Sequence, residues 1–122
     1  MPDHLHVLAT MSSRLTVGQV IGKFKMQTNA ALNSSDVHWQ ENFFEHRLRP
    51  EDITGNYARY IFLNPYRDKL IARCETWPFW SKAKDVDLDF VHSLDAGGLP
   101  PEEWLTTEIE SLGVRHDFVG VD

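Results

Sequence analysis

His4 and His6 stand two residues apart, with Leu5 between them. On an extended backbone, positions i and i+2 share a face, so both imidazoles can address one metal ion while Leu5 points the other way. Tyr60 and Asn64 are four residues apart in a segment with helical apolar spacing, which places a phenol and a carboxamide one turn apart on a common face. Two imidazoles and one oxygen donor, with open positions left over, suit Mg²⁺ or Mn²⁺ holding a phosphate. A phenol beside such a site is a nucleophile for phosphorus. Its ordinary pKa near 10 makes it sluggish at neutral pH, and a nearby cation compensates by polarising the scissile phosphate and stabilising the leaving 3′-oxygen. The product would be a covalent 5′-phosphotyrosine, which keeps the bond energy for rejoining. Without the histidines, Tyr57 and Tyr60 would read simply as the packed face of a helix.

These residues need elements to hold them. Leu5, Val7 and Leu8 around the histidines, ending at Thr10-Met11-Ser12-Ser13, predict a strand followed by a loop. From Thr16 to Leu32 the spacing of Val17, Val20, Ile21, Phe24, Met26 and Ala30 predicts a helix capped by Thr16 and carrying Lys23 and Lys25. Val37 to Leu48 alternates as a strand, with Phe44, His46 and Leu48 on one face and Glu45, Arg47 and Arg49 on the other. Pro50-Glu51-Asp52 reads as the opening of a helix that presents Ile53, Tyr57, Tyr60 and Ile61 and ends near Leu63, because Pro65 restricts the residue before it. A last helix runs from Leu99-Pro100-Pro101-Glu102 through Leu112 to Gly113.

Bulk properties bound the rest. A chain of 122 residues, 42% hydrophobic and with four Trp and seven Phe, has the material for one packed domain and no apolar run of membrane-spanning length. No secretory signal is visible at the start, and a lone Cys74 excludes an internal disulfide, which fits a cytoplasmic setting. The net charge of −6 argues against nucleic acid until its distribution is considered. Residues 1–82 carry ten Lys and Arg against eight Asp and Glu, and residues 83–122 carry two against ten, so the net charges are +2 and −8. The acid is concentrated in a C-terminal tail, which reads as a solvated appendage with one helix.

Four blocks in order resemble one family. They are Met1-Pro2-Asp3-His4-Leu5-His6-Val7-Leu8, then Trp39-Gln40 leading to Phe44-Glu45-His46-Arg47-Leu48-Arg49, then Tyr60-Ile61-Phe62-Leu63-Asn64-Pro65-Tyr66-Arg67, then Trp77-Pro78-Phe79-Trp80-Ser81. Together they look like the HUH single-tyrosine transposases, in the REP-associated branch with its IS200-like domain, over roughly residues 1–82. The resemblance implies an α+β, ferredoxin-like antiparallel sheet with helices on one face, metal ligation by His4, His6 and Asn64, and nucleophilic attack by Tyr60 on hairpin-flanked single-stranded DNA. It implies Mg²⁺ or Mn²⁺ as cofactor and leaves Tyr57 to packing. Candidate DNA contacts are Lys23, Lys25, Arg47, Arg49, Arg59 and Arg67 for phosphate and Trp39 for stacking on an unpaired base. Against the family pattern the chain looks truncated ahead of the metal-bearing strand. The expectation is then either a competent nicking and strand-transfer enzyme or an inactive remnant that binds DNA or dimerises, with a homodimer covering the exposed sheet edge.

Overall fold

The computed structural model describes residues 1–106 and 119–121, and divides the chain into two units. One comprises Met1–Leu8 and Leu48–His116, and holds His4, His6, Tyr60 and Asn64; the other comprises Ala9–Arg47 and Asp117–Asp122. The described residues are mixed, with far more helix than strand.

In the second unit, helix α1 spans Val17–Asn33. Its start is fixed by a reciprocal capping box, in which the Gln19 N–H donates to Thr16 Oγ1 and the Thr16 N–H donates to Gln19 Oε1. Along the helix Trp39 packs on Phe24, and its indole N–H donates to Thr28 Oγ1 at 2.8 Å. No residue of α1 is fully buried. Strand β1, Phe43–Glu45, pairs antiparallel with β2, Val119–Val121, in the register Phe43 to Val121.

In the first unit, helix α2 spans Thr54–Arg67 and carries the core. Ala58, Phe62, Leu63 and Tyr66 bury against Phe90, with Ile71, Trp80, Leu88, Leu94, Trp104 and Leu105 around them. Phe90 comes from a 3₁₀ helix over Asp89–Ser93, and Trp104 and Leu105 come from helix α3, Glu102–Thr106. Phe62 meets Trp80 edge-to-face at 5.4 Å, and Phe90 meets Trp104 at 6.3 Å, a set of aromatic contacts that adds directional attraction to area burial. Tyr57 is buried separately against Leu48 and Tyr60, as the packing role foreseen for it requires.

Several expectations are corrected. A ferredoxin-like sheet is not present among the described residues, where the only ladder is the three-residue pairing of β1 with β2. Residues 4–8 are not a strand in a sheet: no described strand pairs with them, and Leu5 and Val7 stay exposed. The strand expected over Val37–Leu48 shrinks to Phe43–Glu45. Pro50-Glu51-Asp52 forms a turn instead of a helix opening, because the Asp52 N–H returns to the Arg49 carbonyl and the Asp52 carboxylate accepts the Arg49 N–H at 2.7 Å. Helix α2 therefore starts later, after an extended Ile53 with no side-chain cap. It also runs through Pro65 to Arg67, since the contacts of the buried run Phe62–Tyr66 outweigh the backbone bond that the proline removes. The acidic segment is packed where described, through Leu88, Phe90, Leu94 and Trp104. The part of the last expected helix beyond Thr106 lies outside the described residues.

Candidate metal and tyrosine site

His4 and His6 project from a segment outside any helix or strand, with Nε2 and Nε2 in contact at 3.1 Å and ring centroids 4.8 Å apart. Two ligand atoms about 2.1 Å from one ion and at right angles to each other lie about 3.0 Å apart, so this spacing fits a shared cation. The carboxylate of Asp3 meets His4 Nδ1 at 2.6 Å and is held below its usual pKa by that hydrogen bond. A carboxylate on Nδ1 fixes the proton there and turns the Nε2 lone pair outward, the arrangement that orients metal-ligating histidines. His6 is half-buried, and burial first, then the His4 charge, lowers its pKa, which favours the neutral form that a ligand needs.

Tyr60 sits beside this pair, its ring edge-on to that of His6 at 6.4 Å. It is partly exposed, on the outer side of the face that buries Tyr57. Burial raises its pKa above 10, the Arg67 charge pulls it down, Asp68 pushes it up, and the Asn64 carboxamide pulls it down. The Arg67 guanidinium lies over the Tyr60 ring, 5.6 Å from its centre.

Asn64 is a buried polar residue, 6% exposed, and its Nδ2 has no hydrogen-bond partner among the described residues. An orphaned amide in a core position costs stability, and such groups call for a functional explanation. The unpartnered Nδ2 is a donor and cannot ligate a cation, so a ligand role for Asn64, one helical turn from the phenol, would fall to its carboxamide oxygen. No group of three or more His, Cys, Asp or Glu side chains gathers as a metal site among the described residues, so a cation here would depend on His4, His6 and this amide.

The DNA-contact candidates divide between the units. Arg49 and Arg67 belong with Tyr60, whereas Lys23, Lys25, Trp39 and Arg47 belong to the other unit. Arg47, Arg49 and Lys23 are exposed. Lys25 donates to the carbonyls of Gln40 and Glu41 at 2.7 and 3.0 Å, and Trp39 is held by Phe24 and Thr28, so both have structural employment. Arg59 stacks its guanidinium on Trp104 at 4.8 Å. Sequence reasoning missed Asp3 and Asp68, although each is a charged neighbour of a site residue in the chain. Among the described residues no helix is long and apolar enough to cross a membrane. Searches against protein-family models, curated proteins and solved structures return no match.

Proposed function

We propose that this chain is a metal-dependent single-stranded DNA nicking and strand-transfer module acting on hairpin DNA. The observation that carries the reading is the grouping of His4, His6 and Tyr60, with the histidines and the phenol about 55 residues apart in sequence. His4, His6 and Asn64 would hold Mg²⁺ or Mn²⁺, which supplies Lewis-acid polarisation of a phosphate. Tyr60 Oη attacks the scissile phosphorus and loses its proton to solvent. The P–O3′ bond breaks, the 3′-oxygen takes up a proton, and the DNA 5′-phosphate stays on the tyrosine. Asp3 holds His4 in its ligating tautomer. Arg67 favours the phenolate, and Arg49 offers exposed charge to the backbone of the strand.

A second reading, an inactive DNA-binding or dimerising remnant, draws on the segment at residues 4–8, which pairs with no strand among the described residues. Incubating the chain with a labelled hairpin oligonucleotide and Mn²⁺, then separating under denaturing conditions, decides between the two. The nicking reading requires a denaturant-resistant adduct that disappears with EDTA and in Tyr60→Phe. Retention of DNA with no adduct at any metal concentration would favour the remnant.

A further inference from the structure

Tyr60 and Arg67 are seven residues apart on α2, about 20° short of two full turns, so their side chains leave nearly one line along the helix. That alignment depends on α2 continuing through Pro65; a helix ending at Leu63 would not fix Arg67 to the line of the phenol. The guanidinium lies over the Tyr60 ring, 5.6 Å from its centre, and His6 meets the same ring edge-on at 6.4 Å. We propose that Arg67 is a positioning residue: packed on the face of Tyr60, it holds the phenol against the histidine pair. The contact stands on the packing alone, and its value to catalysis rests on the function proposed above.

The guanidinium is not placed to meet a strand of DNA. Nη1 and Nη2 are buried and have no hydrogen-bond partner among the described residues, so these donors are turned away from solvent. Burial disfavours the charge of Arg67, Tyr60 favours it, and Arg59 disfavours it again. A cation in a last helical turn gains from the dipole, but an exposed side chain gains that equally well, so the dipole does not explain the burial. The ring does. The face of a tyrosine attracts a guanidinium within about 6 Å, most strongly where water is excluded, and it is a weak acceptor for N–H donors. Arg67 thus exchanges hydration for a ring face, and Tyr60 exchanges torsional freedom for a fixed direction.

Direction matters to a nucleophile. It must come within about 3–3.5 Å of phosphorus and in line with the leaving oxygen, and a displacement of about 1 Å costs up to a hundredfold in rate. Tyr60 is only partly covered, with Tyr57 packed beside it. Arg67 on the ring face and His6 at the ring edge bound it from two further directions.

Proton NMR of the full chain reads the contact without DNA or metal. The Tyr60 ring current is expected to move the Arg67 side-chain protons upfield, and Tyr60→Leu to return them to the ordinary arginine position. The cross-peak between the Tyr60 and His6 rings is expected to be lost in Arg67→Met and to persist in Arg67→Lys, which keeps a cation without the planar fork. With hairpin DNA and Mn²⁺, single-turnover adduct formation is expected to slow about tenfold in Arg67→Met, and by less in Arg67→Lys, at unchanged oligonucleotide affinity. The proposal is overturned if the Arg67 protons lie at their ordinary position in the wild type, or if the cross-peak survives Arg67→Met or vanishes equally in Arg67→Lys. It is overturned too if Arg67→Met weakens DNA binding and leaves the saturated rate unchanged. The ring-current measurement uses a chain with Arg67 intact, so it decides even where Arg67→Met does not fold. A wild type that forms no adduct, with the cross-peak responding as expected, keeps the positioning and removes the nicking reading. An adduct with a cross-peak indifferent to Arg67 removes the positioning alone.

Discussion

The Nε2 atoms of His4 and His6 face each other at 3.1 Å, with the Asp3 carboxylate behind His4 on Nδ1. That contact is a hydrogen bond with a proton on one Nε2; under the proposed function a divalent ion would take the place of that proton. The carboxylate behind His4 would then orient that ring toward the ion.

Isothermal titration with Mn²⁺ is therefore expected to show one site, with affinity at least tenfold lower in His4→Ala and in His6→Ala. Asp3→Asn should weaken it by about tenfold while leaving both ligands in place. Binding should weaken as the pH falls and protons compete with the ion for the ligand nitrogens.

Asn64→Leu separates a ligand from a structural amide. The orphaned Nδ2 costs stability where it is, so an apolar side chain of similar size is expected to leave unfolding free energy unchanged or to raise it by about 1 kcal/mol. The same substitution should abolish the adduct. Chemical denaturation and the gel assay on one preparation check both halves.

The pH profile follows from the forces on Tyr60. Its folded pKa lies above 10, mainly because of burial, so the phenol is protonated across the neutral range. With metal saturating at each pH, the single-turnover rate of adduct formation should climb about tenfold per unit between pH 7 and 9. Asp68→Asn removes a charge that disfavours the phenolate and should shift the rise toward lower pH. For folding the sign is opposite: a raised phenol pKa contributes stability that is complete below pH 10 and lost as pH rises through the folded value, so Tyr60→Phe should flatten the alkaline limb of a stability profile.

Leu63 is fully buried at the centre of the core on α2, while Phe79 is 79% exposed. Leu63→Ala is expected to cost about 2–5 kcal/mol in urea unfolding, and Phe79→Ala less than about 0.5 kcal/mol. A ranking in the other order would contradict the placement of the core.

What could be read in the sequence was local. The Thr16 cap, the helix it begins, and the sharing of a face by Tyr60 and Asn64 all follow from spacings of four residues or fewer, which the backbone enforces directly. The extent of α2 did not follow. Pro50-Glu51-Asp52 offers the same residues to a turn and to a helix N-terminus, and the choice was made by the Asp52 carboxylate reaching the Arg49 amide. Pro65 reads as a stop, yet Phe62 before it is held by Phe90 and Trp80 and Tyr66 after it joins the same core, contacts too distant in sequence to foresee. Acidic neighbours hid the apolar positions Leu88, Phe90 and Leu94, so the packing of that segment was invisible to a charge count. The histidine pair was legible as a face, but its approach to the tyrosine depends on packing across the unit.

The most direct test is to digest the product of a reaction with hairpin DNA and Mn²⁺ and to locate the nucleotide by tandem mass spectrometry. A 5′-phosphonucleotide on Tyr60, absent without metal and absent from His6→Ala, is the expected result. Modification of Tyr57 or Tyr66 in its place, or intact DNA and an unmodified Tyr60 at saturating metal, would contradict it.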